Sequence, residues 1–310
     1  MSSKLSKKHS KDLAMAKLLL VDGNALVHRA YHALPPLTAP DGKLVNAVYG
    51  FMSSLLSAIS VHRPRYLAVA FDVAGKTFRN ELYEAYKATR QPADQALYDQ
   101  IPIIQQLLNV MNVPIFGVAG YEADDVLATI INQIKNQKSK IKNLESTILT
   151  GDNDVLQLVS DNVSVYSVSR GEKQAVTYDE AGVKQRYDIS PRFLADFKAL
   201  AGDPSDNIKG APGIGPKRAA ELINRYGSLE QILKHIEELK SLKQDLMLAK
   251  KIVTLVKDVP LDFNLEQSRL RDYDPAKVRA ALLKLGFKSL LKRLPEGKPA
   301  HRRGKQEKLF

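Results

Sequence analysis

The sequence predicts an α/β protein, a mostly parallel sheet flanked by helices, followed by a mainly helical half. Three observations carry this reading. Short leucine- and valine-rich runs alternate with segments of helical spacing through the first 175 residues, the pattern that lays parallel strands between covering helices. Strand signals then become rare. The length of 310 residues suits one large domain or two modest ones with a proper core.

The elements follow in order. Residues 1–16 are rich in Lys and Ser without an apolar period and read as an unstructured basic arm. Runs at 17–22 (KLLLVD), 66–72 (YLAVAFD), 114–119 (PIFGVA) and 147–152 (TILTGD) read as short buried strands, and 45–62, 99–112 and 124–135 as helices. Together they make an α/β domain over 17–175. Residues 74–98 contain no Ile or Val, so this segment is expected to bury little and to stand out from the body. Arg79, Tyr83, Tyr86, Lys87 and Arg90 would lie near one helical face there. Cations mixed with aromatics suit a single nucleic-acid strand, although a solvated amphipathic helix is the plain alternative. From 176 to 294 helices are expected at 179–187, 191–201, 216–226, 229–239, 242–257 and 275–294, with a basic tail over 295–310.

Composition narrows the function. There is no cysteine, which excludes disulfides, thiolate metal sites and cysteine nucleophiles. No apolar run approaches the roughly 18 residues of a membrane span, and the basic N-terminus lacks the apolar core of a secretory signal, so an intracellular, cytoplasmic protein is expected. The net charge of +12 points to a polyanion or to a surface charged for solubility.

Acids recur at strand ends. Asp22, Asp72 and Asp152 close three of the runs, and Glu122 follows the fourth. Asp124 and Asp125 open a helix in GYEADDVLA, Asp154 follows Asp152 in TGDNDVLQL, and Asp203 and Asp206 sit in AGDPSDNIKG. Each acid alone is well explained as a cap or turn former. Their convergence is not. Parallel strands point their ends to one edge, and carboxylates crowded there repel unless cations neutralise them. Oxygen donors without clustered histidine favour Mg²⁺ or Mn²⁺, and so many acids suit two ions, the recurring device for in-line phosphoryl displacement. Setting nine of the 34 acids aside leaves 25 against 46 Lys and Arg, an excess of 21 positive charges. A basic body around one acidic pocket suits a nuclease.

GAPGIGPKR at 210–218 reads as a glycine hairpin before a helix N-terminus. Its backbone amides, with Lys217 and Arg218, can hold a phosphate without reading a base. A nucleotide-binding loop is disfavoured, since after Gly213 and Gly215 no third glycine completes G-x-G-x-x-G, no strand precedes the loop and the Walker lysine pattern is absent. A plain turn between helices is the structural alternative.

LLLVDGNALVHRAYHALPPL, FDVAGKTFRNELYEAYKATR, GYEADDVLATI, TGDNDVLQLV and GDPSDNIKGAPGIGPKRAAELI together resemble, in order and spacing, the 5′ nuclease domain at the N-terminus of bacterial DNA polymerase I, in the flap endonuclease superfamily. The resemblance runs from about residue 17 to about 290. It implies a resolvase-like (PIN-like) α/β domain, a helical arch over 74–98, and a helix-hairpin-helix-type subdomain. It assigns Asp22, Asp72, Glu122 and Asp124 to a first metal site, and Asp125, Asp152, Asp154, Asp203 and Asp206 to a second. It implies that Tyr86, Lys87 and Arg90 steer the scissile phosphate, that Arg29 and Lys198 are further basic active-site residues, and that Gly213 and Gly215 grip duplex with a K⁺ ion.

The implied function is a structure-specific 5′ nuclease. Two Mg²⁺ ions, replaceable by Mn²⁺, would drive hydrolysis of DNA bearing a 5′ flap, nick or single-stranded 5′ end, in primer removal and repair, with no membrane partner and as a monomer. The resemblance leaves open whether the chain acts alone or as the leading piece of a polymerase. A non-catalytic DNA-binding protein and a small PIN-type ribonuclease are the rivals. Intact acids weigh against the first, and length, hairpin and arch against the second.

Overall fold

A computed structural model describes residues 16–136, 144–168, 174–270 and 273–295. The expected basic tail, and all of the expected arm except Ala16, lie outside them, apart from Pro295 at the tail's start. In chain order the elements are β1 (Lys17–Asp22), α1 (Gly23–Ala33), α2 (Asn46–His62), β2 (Tyr66–Ala70), α3 (Phe78–Leu82), α4 (Gln95–Tyr98), α5 (Ile101–Val110), β3 (Ile115–Phe116), α6 (Ala123–Asn136), β4 (Glu145–Thr150), β5 (Val163–Ser167), β6 (Val176–Tyr178), α7 (Glu180–Tyr187), α8 (Leu194–Ala201), α9 (Pro216–Tyr226), α10 (Leu229–His235), α11 (Lys243–Val253) and α12 (Pro275–Lys284). Short 3₁₀ turns at Asp154–Leu158, Pro191–Phe193, Pro204–Asp206 and Lys288–Arg293 join several of them.

The strands form one sheet in the order β3-β2-β1-β4-β5-β6, parallel except for β6. Both faces are covered, which is why β1 and β2 are nearly continuous apolar runs. Leu18 and Leu20 face a core shared with α6 and with the helical half, whereas Leu19 and Val21 face α2 and α5. From β1 the chain builds outward through β2 and β3, then crosses to β4 on the other side. This reversal leaves a crevice at the carboxyl ends of β1 and β4, the usual ligand position in such sheets. Asp22 and Asp152 stand there.

Several expectations change. β3 keeps only two of its six expected residues, and β5 and β6 were not anticipated. β6 lies past residue 175, so the sheet reaches further than expected. The 275–294 helix ends at Lys284 because Gly286, at φ +80°, turns the chain. Segment 74–98 does not stand out as one helix. After α3 it runs through turns laid against the body, with the Lys87 amide donating to the Asp206 carbonyl at 3.1 Å and Asn207 Nδ2 to the Ala85 carbonyl at 2.8 Å. Arg79 and Tyr86 are buried, so the five residues share no helical face.

Candidate metal centre

Each acid is aimed by the element that ends or begins beside it. Asp22 closes β1 and caps α1, accepting from the Ala25 amide at 3.0 Å, and its second oxygen accepts from Thr150 Oγ1 at 2.8 Å. The strand end therefore spends its last carboxylate as a helix cap while keeping it at the crevice. Asp72 accepts from the Ala123 amide at 2.7 Å, and its own amide is held by Asn24 Oδ1 at 3.0 Å. Asp152 follows β4, with its amide on Thr150 Oγ1 at 2.9 Å and its carboxylate taking the Asp154 amide at 2.9 Å. With Glu122 and Asp124 at the start of α6, these acids line a cleft of about 720 Å³, together with Arg29, Lys87 and Arg90.

A second group adjoins it. Asp154, Asp203 and Asp206 each present an oxygen within 4.8 Å of the others. Lys198 Nζ donates to Asp203 at 2.7 Å and also to Asp154. Arg90 Nη2 reaches Asp206 at 2.7 Å, and Lys87 Nζ reaches Glu122 at 2.8 Å. The Tyr86 hydroxyl lies 3.0 Å from Glu122 and 3.3 Å from Asp206, spanning the two groups.

The electrostatics are those of a site short of positive charge. Burial, then the charges of Asp152 and Asp72, push Asp22 up to about 7 against hydrogen bonds from Ala25 and Thr150. Burial, then Asp154, pushes Asp152 up to about 6. Asp124 is driven well above the usual carboxylate range by burial and by Asp125 and Glu122, and burial also raises Asp72 and Asp206. Burial works against both ions of the Lys198–Asp203 pair, yet Asp154 and then Asp203 raise the ammonium, and Lys198 lowers the Asp203 carboxyl. Crowded, desolvated carboxylates with all-oxygen donors fit hard divalent cations, which supply the missing charge.

The structure departs from expectation at named residues. Asp125, expected as a ligand, is fully buried against Arg79 and does not line the cleft. Arg79, expected on a DNA-facing surface, is 2% exposed. Tyr83 donates to the Asn207 carbonyl at 3.3 Å. The hairpin keeps its expected form: Gly213 has φ +77°, Gly215 caps α9, and Lys217 and Arg218 are exposed in its first turn, Arg218 meeting Glu221 at 3.0 Å. Sequence reasoning missed Thr150 and Asn24, whose hydrogen bonds orient acids, and it treated histidine as unclustered. His28 and His32 both line the cleft from α1, and burial, His32 and Arg90 hold His28 below its ordinary value. The i, i+4 spacing of the two histidines was the available signal.

Comparison with known proteins shows the family and the fold. Residues 17–188 match the family described as 5′-3′ exonuclease, N-terminal resolvase-like domain, and residues 189–276 match 5′-3′ exonuclease, C-terminal SAM fold. A 5′-3′ exonuclease of Aquifex aeolicus is 36% identical over 301 residues, covering 96% of this chain and 100% of that protein. DNA polymerase I of Caldicellulosiruptor bescii is 40% identical over 288 residues, covering 90% of this chain and 33% of the polymerase. The chain thus spans about a third of the length of that relative. Among solved structures, the T5 D15 protein co-crystallized with metal ions shares the fold at a TM-score of 0.63 and 21% identity, over 89% of this chain and 96% of that one. The catalytic core of Rad2 in complex with DNA substrate does so at 0.55 and 16%, over 90% and 93%. The helices described here include none long and apolar enough to cross a membrane. The chain belongs to the 5′-3′ exonuclease family.

Proposed function

We propose that this chain is a structure-specific 5′ nuclease that hydrolyses DNA at 5′ ends, nicks and flaps, leaving 5′ phosphates, in primer removal and repair. The observation that carries the reading is the gathering of eight carboxylates from both halves of the chain, five lining one basic-walled cleft and three clustered beside it. Asp22, Asp72, Glu122 and Asp124 would hold one Mg²⁺, and Asp152, Asp154, Asp203 and Asp206 a second, with Mn²⁺ able to substitute. Such ions supply an acidified water and stabilise the leaving oxygen in phosphodiester hydrolysis.

The chain's own residues bind and aim. Lys87 and Arg90 present positive charge where phosphate oxygens would enter, and Arg29 adds to it from α1. Lys198 bridges Asp154 and Asp203 and holds the Asp203 carboxyl below its ordinary value. Tyr83 and Tyr86 belong to the segment beside which the single-stranded 5′ portion would pass. The Gly213–Gly215 turn, with Lys217 and Arg218, would grip duplex through its backbone and a K⁺ ion, giving selectivity for structure rather than sequence. A monomer in the cytoplasm, at the nucleoid, suffices for this work.

The test is cleavage of a labelled 5′-flap duplex with Mg²⁺ by wild type and by Asp154→Asn. Cleavage by the wild type alone is expected. No cleavage by wild type, or equal cleavage by both, would sink the reading, and an RNA hairpin cut in preference would favour a ribonuclease.

A further inference from the structure

Resting on the nuclease reading, we propose that Asp125 is not a metal ligand but one half of a buried positioning pair with Arg79, which sets Glu122 and the root of segment 74–98. Arg79 is 2% exposed and Asp125 fully buried. Arg79 Nη1 lies 2.6 Å from Asp125 Oδ2 and Nη2 lies 2.8 Å from Oδ1, a two-pronged contact. Asp125 Oδ1 also accepts from the Val256 amide at 2.8 Å, and Oδ2 from the Glu122 amide at 3.2 Å. Four donors on two oxygens use the capacity of a carboxylate, and a guanidinium beside it repels any further cation.

The guanidinium is equally committed. Nε donates to the Ile252 carbonyl at 2.8 Å, Nη2 also reaches the Thr254 carbonyl at 3.4 Å, and Nη1 lies 3.4 Å from Glu122 Oε2. With the two bonds to Asp125, four of the five N–H groups have hydrogen-bond acceptors, and Nη1 faces the Glu122 carboxylate as an ion pair. None is spare for a phosphate. Arg79 sits on α3 at the root of the segment that carries Tyr86, Lys87 and Arg90. Asp125 sits on the first turn of α6, which carries Asp124. Ile252 and Thr254 lie at the end of α11 in the helical half. One ion pair therefore ties three elements together and touches both the amide and the carboxylate of Glu122, so its displacement moves a ligand without removing one.

Two variants separate positioning from ligation. Asp125→Asn keeps shape and loses charge, and Arg79→Lys keeps charge and loses the fork. Each is expected to lower kcat about 10- to 100-fold, as a misplacement near 1 Å does, with KM and the half-maximal Mg²⁺ concentration within about threefold of wild type. The double variant should be no worse than either single one, since both break one unit. Additive losses would overturn the pair. So would a tenfold or larger rise in the Mg²⁺ midpoint for Asp125→Asn but not for Arg79→Lys. Crystals of wild-type protein soaked in Mn²⁺ give a check independent of how the variants fold. Mn²⁺ at Glu122 and Asp124 with Asp125 still on Arg79 is expected, and Mn²⁺ within about 2.5 Å of Asp125 overturns the proposal. Mn²⁺ at none of the acids sinks the nuclease reading instead.

Discussion

The Tyr86 hydroxyl stands between Glu122, at 3.0 Å, and Asp206, at 3.3 Å, so one proton on a buried ring serves an acid from each half of the chain. Burial, then those two charges, push the phenol far above its ordinary value, so it stays protonated at any pH the fold tolerates. Tyr86→Phe removes the only proton of that hydroxyl. Metal-free protein should lose about 1.5–3 kcal/mol, the range for a hydrogen bond to a charged group, in urea unfolding. The loss should shrink in Mg²⁺, if cations bind the same acids.

Lys198 is the charge on which Asp154 and Asp203 converge. Lys198→Met leaves two close carboxylates without their cation. Single-turnover cleavage should slow about 10²- to 10³-fold, as for loss of one preorganised electrostatic contact, and Lys198→Arg should recover part of it. A rate for Lys198→Met near that of wild type would contradict this.

Stability without metal should depend on pH in an unusual direction. Asp22 rises from 3.8 unfolded to about 7 folded, and Asp152 from 3.8 to about 6. Between those limits the folded protein holds protons that the unfolded chain has released, so these groups destabilise the fold as pH rises from about 4 through about 7. In EDTA the melting temperature should therefore fall from pH 5 to pH 8, and Asp22→Asn should flatten the fall. Mg²⁺ at a hundred times its Kd should restore about 2.7 kcal/mol per occupied site at pH 8. A metal-free Tm that climbs over that range, equally in wild type and Asp22→Asn, would refute the assignment.

Thr150 orients Asp22 from the neighbouring strand end. Thr150→Val keeps the shape and withdraws the hydroxyl from both Asp22 and the Asp152 amide. Unsatisfied buried groups cost about 1–3 kcal/mol, to be read by denaturant unfolding. A higher Mg²⁺ requirement should accompany the loss.

Gly210 has no room for a side chain. A Cβ there would stand 2.4 Å from the Gly202 amide nitrogen, where the chain doubles back around Asp203 and Asp206. Gly210→Ala should destabilise by about 1–3 kcal/mol through forced backbone shifts. It should also weaken metal binding more than Gly213→Ala, whose Cβ would meet only open space.

The alternation of LLLVD, LAVAFD and TILTGD with helical spacing was enough to specify a parallel sheet with acids at one edge, because strand ends and period-3.6 stripes are local properties. The glycine hairpin was legible for the same reason, since a left-handed residue before a helix is written in a few positions. Segment 74–98 was not. Its Arg79, Tyr83 and Tyr86 look amphipathic in isolation, and contacts with Asp125, Asn207, Glu122 and Asp206, from 36 to 124 residues away, turn them inward. Asp124 and Asp125 are neighbours of identical chemistry. The helix sends one into the cleft and the other onto a buried arginine, and no sequence spacing distinguishes those fates. Which carboxylates face open space depends on what packs behind α6, a question of tertiary partners rather than of residue type.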